Sequence, residues 1–279
     1  MQAPSHGPLA AKGVPLFRRK SGWILLPALA LALALAFPAL SWAAARSTSP
    51  RPRPVLPPKS ATTEKGDSTP VNVAGYPGTI QLACIGDSIT AGVGAGNDTK
   101  YTARLSAALG AKWEVHNFGV SAATVLKKGN KPYDKLAEFT KAIELKPDVV
   151  MIMLGTNDSK PGNWKNKDEF AADYKDMIAQ FQKANPKVRI YCCLPIPAYP
   201  GKWGINDETI KGQIVPLVRK VAKDTQTDVI DLYTPMIGKG EFVPDTVHPN
   251  GDGHAVMAKA IFKALIGTDM SETAKDSGK

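Results

Sequence analysis

One serine, one histidine and one aspartate in this sequence have the types and the local context needed for nucleophilic attack on an ester. Ser88 lies within Gly86-Asp87-Ser88-Ile89-Thr90, and a later segment reads Asp245-Thr246-Val247-His248-Pro249. Histidine is the usual base for a serine hydroxyl, and a carboxylate fixes the tautomer and orientation of its ring. Asp245 can supply that carboxylate from the same loop as His248. Taken alone, each segment is also compatible with an ordinary polar turn or a helix cap.

Two further turns contain residues that could stabilise a developing negative charge. A glycine such as Gly119, within Asn117-Phe118-Gly119-Val120-Ser121, lets the backbone approach a substrate closely. Taken alone, that segment is better interpreted as a tight turn. Asn157, within Gly155-Thr156-Asn157-Asp158, offers a side-chain N–H that could face an oxyanion. Alternatively, the Asn157 side chain could bond its own backbone in an Asx-turn.

Apolar runs alternate with segments of helical period from residue 79 onward. Strands are predicted at 80–85, 113–118, 149–154, 188–194 and 229–232. Helices are predicted at 99–109, 133–145, 167–183, 208–225 and 253–266, with a kink or restart at Pro216. This order predicts an α/β fold with a five-stranded parallel sheet and helices on both faces. Ligands of such sheets bind beyond the carboxyl ends of the strands, where the polar segments above lie.

The four segments together resemble the SGNH, or GDSL, hydrolase family. The residues that carry the resemblance are Ser88, Gly119, Asn157 and His248, in this order along the chain. Asp245 completes the triad, and the resemblance extends over about residues 79–265. It implies a flavodoxin-like, three-layer α/β/α fold and ester hydrolysis through an acyl-enzyme, with no metal or other cofactor.

The chemistry assigns matching roles to these side chains. Ser88 Oγ attacks the ester carbonyl, and His248 takes its proton and returns it to the leaving alcohol. Asp245 stabilises the imidazolium that forms. The N–H groups of Ser88 and Gly119 and the amide of Asn157 are expected to form the oxyanion hole.

Two loops, 159–166 and 195–206, are expected to border the pocket, and their aromatic residues bear on the kind of substrate. They carry Trp164, Tyr199 and Trp203, whose rings could stack on sugars or could simply pack the loops. The string from Gly155 to Trp164 resembles bacterial family members described as sialate O-acetylesterases or acetylxylan-type esterases. That resemblance implies removal of acetyl groups from glycans. A lysophospholipase or thioesterase acting on longer acyl chains, or a non-catalytic glycan-binding module, remain as alternatives.

The 279 residues divide into four predicted segments. Residues 1–45 have a basic patch, an apolar run and a closing stretch of small residues typical of a signal-peptide cleavage site. They predict a signal peptide or, if uncleaved, a membrane anchor. Residues 46–78 form a Pro/Ser/Thr-rich linker. The hydrolase domain is predicted at 79–267 and a polar tail at 268–279. We therefore expect a secreted or periplasmic protein.

Charge and cysteine content limit the kinds of partner and binding site that the sequence predicts. The net charge is +10, but residues 1–45 contribute four Lys/Arg and no acid, and residues 46–78 are also basic. The remaining charge is too mild to predict nucleic-acid binding. The expected partner is thus a small-molecule or glycan ester. Contact with a membrane is expected only if the N-terminal segment is not cleaved. The sequence predicts no oligomeric state. Cys84, Cys192 and Cys193 lack metal-site spacing and are interpreted as small buried apolar residues.

Overall fold

A parallel sheet of five strands forms the centre of the protein in the computed structural model, which describes residues 68–270. The strands are β1 Ile80–Gly86, β2 Trp113–Gly119, β3 Val149–Met153, β4 Arg189–Cys193 and β5 Asp228–Ile230. Their order is β2-β1-β3-β4-β5, and every neighbouring pair is parallel. The predicted fold class, with helices flanking a parallel sheet, is confirmed.

Helices connect the strands and cover both faces of the sheet. The α-helices are α1 Ser88–Ala91, α2 Tyr101–Leu109, α3 Ala137–Glu144, α4 Pro161–Trp164, α5 Phe170–Ala184, α6 Asp207–Thr209, α7 Val215–Thr225 and α8 Gly251–Ile266. Of the helices within residues 68–270, none is long and apolar enough to cross a membrane.

Alternation along the strands builds two separate cores, as expected where successive side chains point to opposite faces. On β1, Ala83 and Ile85 belong to the core beneath α3, α5 and α7, whereas Leu82 and Cys84 belong to the core beneath α2 and α8. All five residues of β3 are buried because this central strand is covered on both faces. Such two-sided burial explains why the strands are recognisable as continuous apolar runs.

Two of the predicted helices are interrupted in the structure. The helix predicted at 133–145 begins as a 3₁₀ turn and breaks at Leu136, whose backbone is extended, before α3 starts. The helix predicted at 208–225 contains a π-helical segment, Ile210–Ile214, immediately before α7. Pro216 lies in the first turn of α7, directly after this π-helical segment. The backbone stays helical on both sides of the junction, so the kink or restart predicted at Pro216 takes the form of a change in helix type just before the proline.

Part of the predicted linker is tied to the amino-terminal edge of the sheet. Thr69 N donates to Asp228 Oδ1 at 2.8 Å, and Thr69 O accepts from Arg189 Nη2 at 2.6 Å and from Tyr191 Oη at 2.7 Å. Val71 is buried. Because Arg189 and Asp228 begin β4 and β5, this attachment lies opposite the carboxyl edge. The predicted segment 1–45, and the predicted linker as far as residue 67, lie outside the described residues, as does the tail from 271.

The three cysteines are buried free thiols. In the register of the sheet, Cys84 on β1 pairs with Met151 on β3, and Cys192 on β4 pairs with Ile152, also on β3. Strand β3 therefore separates the two cysteines. Two strand spacings amount to roughly 9–10 Å, whereas a disulfide needs Cα atoms within about 7 Å. Burial raises the pKa of Cys84 to about 12 and that of Cys192 to about 11.

We predict that a thiol reagent such as Ellman's reagent labels none of the three cysteines in the native protein. Burial denies the reagent access and disfavours the reactive thiolate. Labelling before and after unfolding in guanidinium, without reductant, measures this. All three should react after unfolding; a deficit of two thiols would reveal a disulfide and contradict the strand order.

Candidate active site

Ser88, Asp245 and His248 meet at the carboxyl edge of the sheet. Ser88 begins α1 directly after β1, while Asp245 and His248 lie in the loop that precedes α8. His248 Nε2 lies 2.8 Å from Ser88 Oγ, and His248 Nδ1 lies 2.7 Å from Asp245 Oδ2. The Asp245 contact places the proton of the neutral ring on Nδ1 and leaves Nε2 to accept from the serine hydroxyl. The three side chains thus form one hydrogen-bonded array.

The Asp245 carboxylate also fixes the loop that carries it. Its Oδ1 accepts from the backbone N–H of Val247 at 2.9 Å and of His248 at 2.6 Å. Burial acts to raise the pKa of Asp245, but these bonds and the His248 ring outweigh burial and lower the pKa below its ordinary value. The carboxylate therefore stays ionised beside the imidazole.

Asp87 holds the short helix that presents Ser88. It is the N-cap of α1, and its Oδ1 accepts from Ile89 N at 2.9 Å. The carboxyl is almost fully buried, and burial raises its pKa to about 6 against the opposing hydrogen bonds from Ile89 and Thr156. Ser88 N is among the first N–H groups of α1, which have no partner within the helix and suit an anion.

Asn157 and Asp158, after β3, fix the loop that follows β2. Asn157 lies on the pocket wall, and its Nδ2 donates to Ala123 O at 3.2 Å and lies 3.5 Å from Asp87 Oδ2. Asp158 accepts from Val125 N at 3.1 Å and from Leu126 N at 2.9 Å. Burial raises the pKa of Asp158 to about 7 despite these bonds. The Asp158 carboxyl thus organises the loop that follows β2.

Gly119 does not line the pocket, contrary to its expected role. Its N–H donates to Asn117 Oδ1 at 2.9 Å. A Cβ on Gly119 would lie 2.6 Å from the Thr90 carbonyl carbon and closer still to Ala91 N. The close approach that glycine permits here is therefore to α1 and not to a substrate.

Ala122 occupies the position on the pocket wall that was expected of Gly119. It has a left-handed φ of 67°, which is uncommon for a residue with a Cβ. Within residues 68–270, the Ala122 N–H donates to no protein acceptor. The residue type alanine does not predict this backbone conformation, and for this reason Ala122 could not be singled out from the sequence.

The array opens into a pocket of about 250 Å³. Its lining consists of Ser88, Val93, Ser121, Ala122, Asn157, Lys160, Trp203, Ile205 and His248. Trp203 is 60% exposed and its ring centroid lies 5.5 Å from that of His248. Of the three aromatic residues proposed to contact substrate, Trp203 is the one placed at the pocket. Lys160, just beyond the predicted Asn157 turn, was not singled out from the sequence.

The other two proposed aromatic residues have structural partners instead. Trp164 is buried, packs edge-on against Phe170 with 5.5 Å between centroids, and donates from Nε1 to Gln213 Oε1 at 2.9 Å. The half-buried Tyr199 donates from its hydroxyl to the Met236 carbonyl, and its backbone N–H donates to Thr246 O at 2.8 Å. Neither is among the residues that line the pocket, and nothing in this arrangement supports their predicted substrate contacts, which stay predictions. Tyr199 instead anchors the loop that carries His248.

His254, in the first turn of α8, is fully buried. Its Nδ1 accepts from Tyr101 N at 3.2 Å, and the Tyr101 hydroxyl lies 3.0 Å from Thr90 Oγ1 on α1. Burial lowers the pKa of His254 to about 4, so the ring is neutral near pH 7. It therefore links α8, α2 and α1 without carrying a charge. Among residues 68–270, no group of three or more His, Cys, Asp or Glu could hold a metal ion.

The hydrogen-bonded array of Ser88, His248 and Asp245 at the carboxyl edge of a parallel sheet is a geometry in which a serine could act as a nucleophile. Residues 84–256, more than half of the chain, match the GDSL-like lipase/acylhydrolase family. The chain belongs to this family, and the predicted family is thereby confirmed.

Curated relatives match only part of their own length. An acetylxylan esterase of Xylanibacter ruminicola is 41% identical over 208 residues, which are 67% of this chain and 43% of that protein. A multidomain esterase of Ruminococcus flavefaciens is 28% identical over 124 residues, 43% of this chain and 16% of that protein. The chain spans less than half the length of these curated relatives.

Solved structures share the fold. An acetyl xylan esterase named AlAXEase has a TM-score of 0.55 at 24% identity, covering 67% of this chain and 100% of that one. Est24, a carbohydrate acetylesterase from Sinorhizobium meliloti, has a TM-score of 0.53 at 20% identity, covering 66% of this chain and 96% of that one. At these identities the likeness concerns the fold alone.

We predict that Gly119→Ala lowers the free energy of unfolding by about 1–3 kcal/mol, the range for overpacking, and lowers kcat at least tenfold. The added Cβ would push against the backbone of α1 and displace Ser88. Urea unfolding and ester turnover measure the two effects. Gly212→Ala is the matched control, because its Cβ would meet no atom within 4 Å. If Gly119→Ala is as stable and active as Gly212→Ala, the packing account is wrong.

Proposed function

We propose that this protein hydrolyses small acyl esters on carbohydrates, in particular acetyl esters, through Ser88, His248 and Asp245. The observation that carries the proposal is the continuous array from Asp245 Oδ2 through the His248 ring to Ser88 Oγ, with contacts of 2.7 and 2.8 Å. This arrangement provides a nucleophile, a base within reach of its proton, and a carboxylate that orients the base.

The array supports a two-step reaction. In the first step Ser88 Oγ bonds to the ester carbonyl carbon, and its proton passes to His248 Nε2. The tetrahedral intermediate then expels the alcohol, which takes that proton, and an acyl-serine remains. In the second step His248 takes a proton from water, the oxygen of water attacks the acyl carbon, and Ser88 regains its proton as the acid leaves. Asp245 stabilises the imidazolium in both steps.

Three N–H groups around Ser88 are suited to hold the oxyanion. The Ser88 N–H stands at the start of α1, and Asn157 lies on the adjoining wall, where one amide hydrogen donates to Ala123 O and the second contacts Asp87 at only 3.5 Å, so that it could turn to an oxyanion. We assign the third donor to Ala122 in place of Gly119, since the Gly119 N–H is already bound to Asn117. Donors fixed before the reaction stabilise the developing charge without reorganisation.

Pocket size and one exposed aromatic residue support an acetylated sugar as substrate. A cavity of about 250 Å³ suits a short acyl group better than a long chain. Trp203 presents an exposed ring beside His248, as a platform for a sugar would. The acetylxylan esterase relative is consistent with this class. A glycan substrate also fits the predicted export of the chain, which we retain as part of the proposal.

For a series of 4-nitrophenyl esters, we predict that kcat/KM is highest for acetate and falls at least tenfold by octanoate, because the small pocket excludes long chains. Steady-state kinetics across the series measures this. Ser88→Ala is the control, and it should lose on the order of a million-fold in kcat while folding normally. A preference for octanoate would favour the lipid alternative, and retention of activity by Ser88→Ala would remove the proposed nucleophile.

We predict that Trp203→Ala lowers kcat/KM on an acetylated xylooligosaccharide at least tenfold more than on 4-nitrophenyl acetate. Only the first substrate has sugar rings that can stack and orient the ester. Ile237→Ala provides the matched control, because Ile237 is a similarly exposed apolar side chain, 58% accessible, outside the pocket lining. Equal losses on both substrates, or none on either, would show that Trp203 does not bind sugar.

A further inference from the structure

A single lysine contributes to the wall of the active-site pocket. Lys160 lies on that wall together with Trp203 and Ile205, and it is half-buried. Of the described residues that line the pocket, none is an aspartate or glutamate. The substrate side of the pocket therefore carries a positive charge that the ester chemistry described above does not use.

The stem of Lys160 is held in place by the loop that presents Trp203. A Cβ built on Gly204 would lie 3.8 Å from Lys160 Cγ and 3.9 Å from Lys160 Cβ, so the lysine stem runs along that loop. Asn206 N donates to Ser159 Oγ at 3.0 Å and joins the two segments. Lys160 and Trp203 therefore form one wall and would face the same part of a substrate.

Lys160 has no ion-pair partner among the described residues. One acidic group that is influenced by the charge of Lys160 is the buried carboxyl of Asp87. Lys160 is the last and smallest of the influences on the pKa of Asp87, after burial, hydrogen bonds from Ile89 and Thr156, and the charge of His248. The ammonium group is therefore available to an anion that enters the pocket.

We propose that Lys160 forms a carboxylate-binding subsite, so that the enzyme favours acetyl esters on glycans that carry a uronic acid beside the acetylated sugar. This inference rests on the proposed esterase function and specifies its substrate. Stacking on Trp203 would orient the sugar, and the lysine would select the neighbouring carboxylate. Because the side chain is only half-buried, the attraction is of the size measured for partly exposed ion pairs and is weakened by salt.

The test compares two acetylated xylooligosaccharides of the same length. One carries a glucuronic acid branch, and in the other the carboxyl of that branch has been reduced to an alcohol. For the wild type, we expect kcat/KM to be about fivefold higher for the acidic substrate at low ionic strength, the ratio that corresponds to about 1 kcal/mol. In 0.5 M NaCl the ratio should approach one.

Substitutions separate the charge of Lys160 from its other contacts. Lys160→Gln keeps a hydrogen-bond donor and should bring the ratio to about one, whereas Lys160→Arg keeps the charge and should retain most of the preference. The matched control is Lys202→Gln, since Lys202 is an exposed cation next to Trp203 that does not line the pocket. That variant should behave as the wild type.

The outcomes distinguish the subsite from the esterase function. If the wild type turns over both oligosaccharides equally, or if Lys160→Gln keeps the preference, the subsite is refuted while the esterase function stands. If Lys160→Gln impairs both substrates to the same degree, Lys160 acts as a general support of the pocket and the subsite is again refuted. If neither oligosaccharide nor 4-nitrophenyl acetate is hydrolysed, the proposed function itself fails.

Discussion

The hydrogen bond between His248 and Ser88 joins residues 160 positions apart, and the site depends on this contact. It forms only because the start of α1 and the loop before α8 lie close together at one edge of the sheet. Buried polar contacts among α1, α2 and α8 hold these segments in place. The Tyr101 hydroxyl on α2 contacts Thr90 on α1, and the Tyr101 N–H donates to His254 on α8. A neutral, buried histidine is therefore part of the framework that sets the distance between the proposed base and nucleophile.

The side of the pocket formed by Asn157 is organised by hydrogen bonds between side chains and the backbone. Asp87 caps α1, Asn157 donates to the Ala123 carbonyl, and Asp158 accepts from two further amides of the loop after β2. Burial of the two carboxyls is costly, and their raised pKa values express that cost. The cost is offset because the carboxyls accept from N–H groups that would otherwise lack partners. Buried carboxyl side chains thus serve here to fix backbone geometry.

The strands and the Ser-His-Asp array could be predicted because each rests on a local signal. β3 is buried throughout and appears as an apolar run, and Asp245 lies within one loop of His248. Positions that depend on residues distant in sequence could not be predicted. Trp164 packs inward against Phe170 and donates to Gln213, and its neighbours in sequence do not reveal this. Ala122 lines the pocket with a left-handed backbone, which the residue type alanine does not predict.

Backbone strain is concentrated around the pocket. Five non-glycine residues among those described have positive φ; Ala122 and Trp203 line the pocket, and Thr246 lies between Asp245 and His248. Such conformations cost on the order of 1 kcal/mol each and persist only where surrounding contacts hold them. At Thr246 the carbonyl accepts from Tyr199, and beside Ala122 the Ala123 carbonyl accepts from Asn157. Beside Trp203, Ile205 N donates to Lys202 O and closes the turn, and Asn206 N joins this loop to Ser159 Oγ. At each of these three positions, hydrogen bonds of neighbouring residues thus hold the backbone in a conformation that would be costly without them.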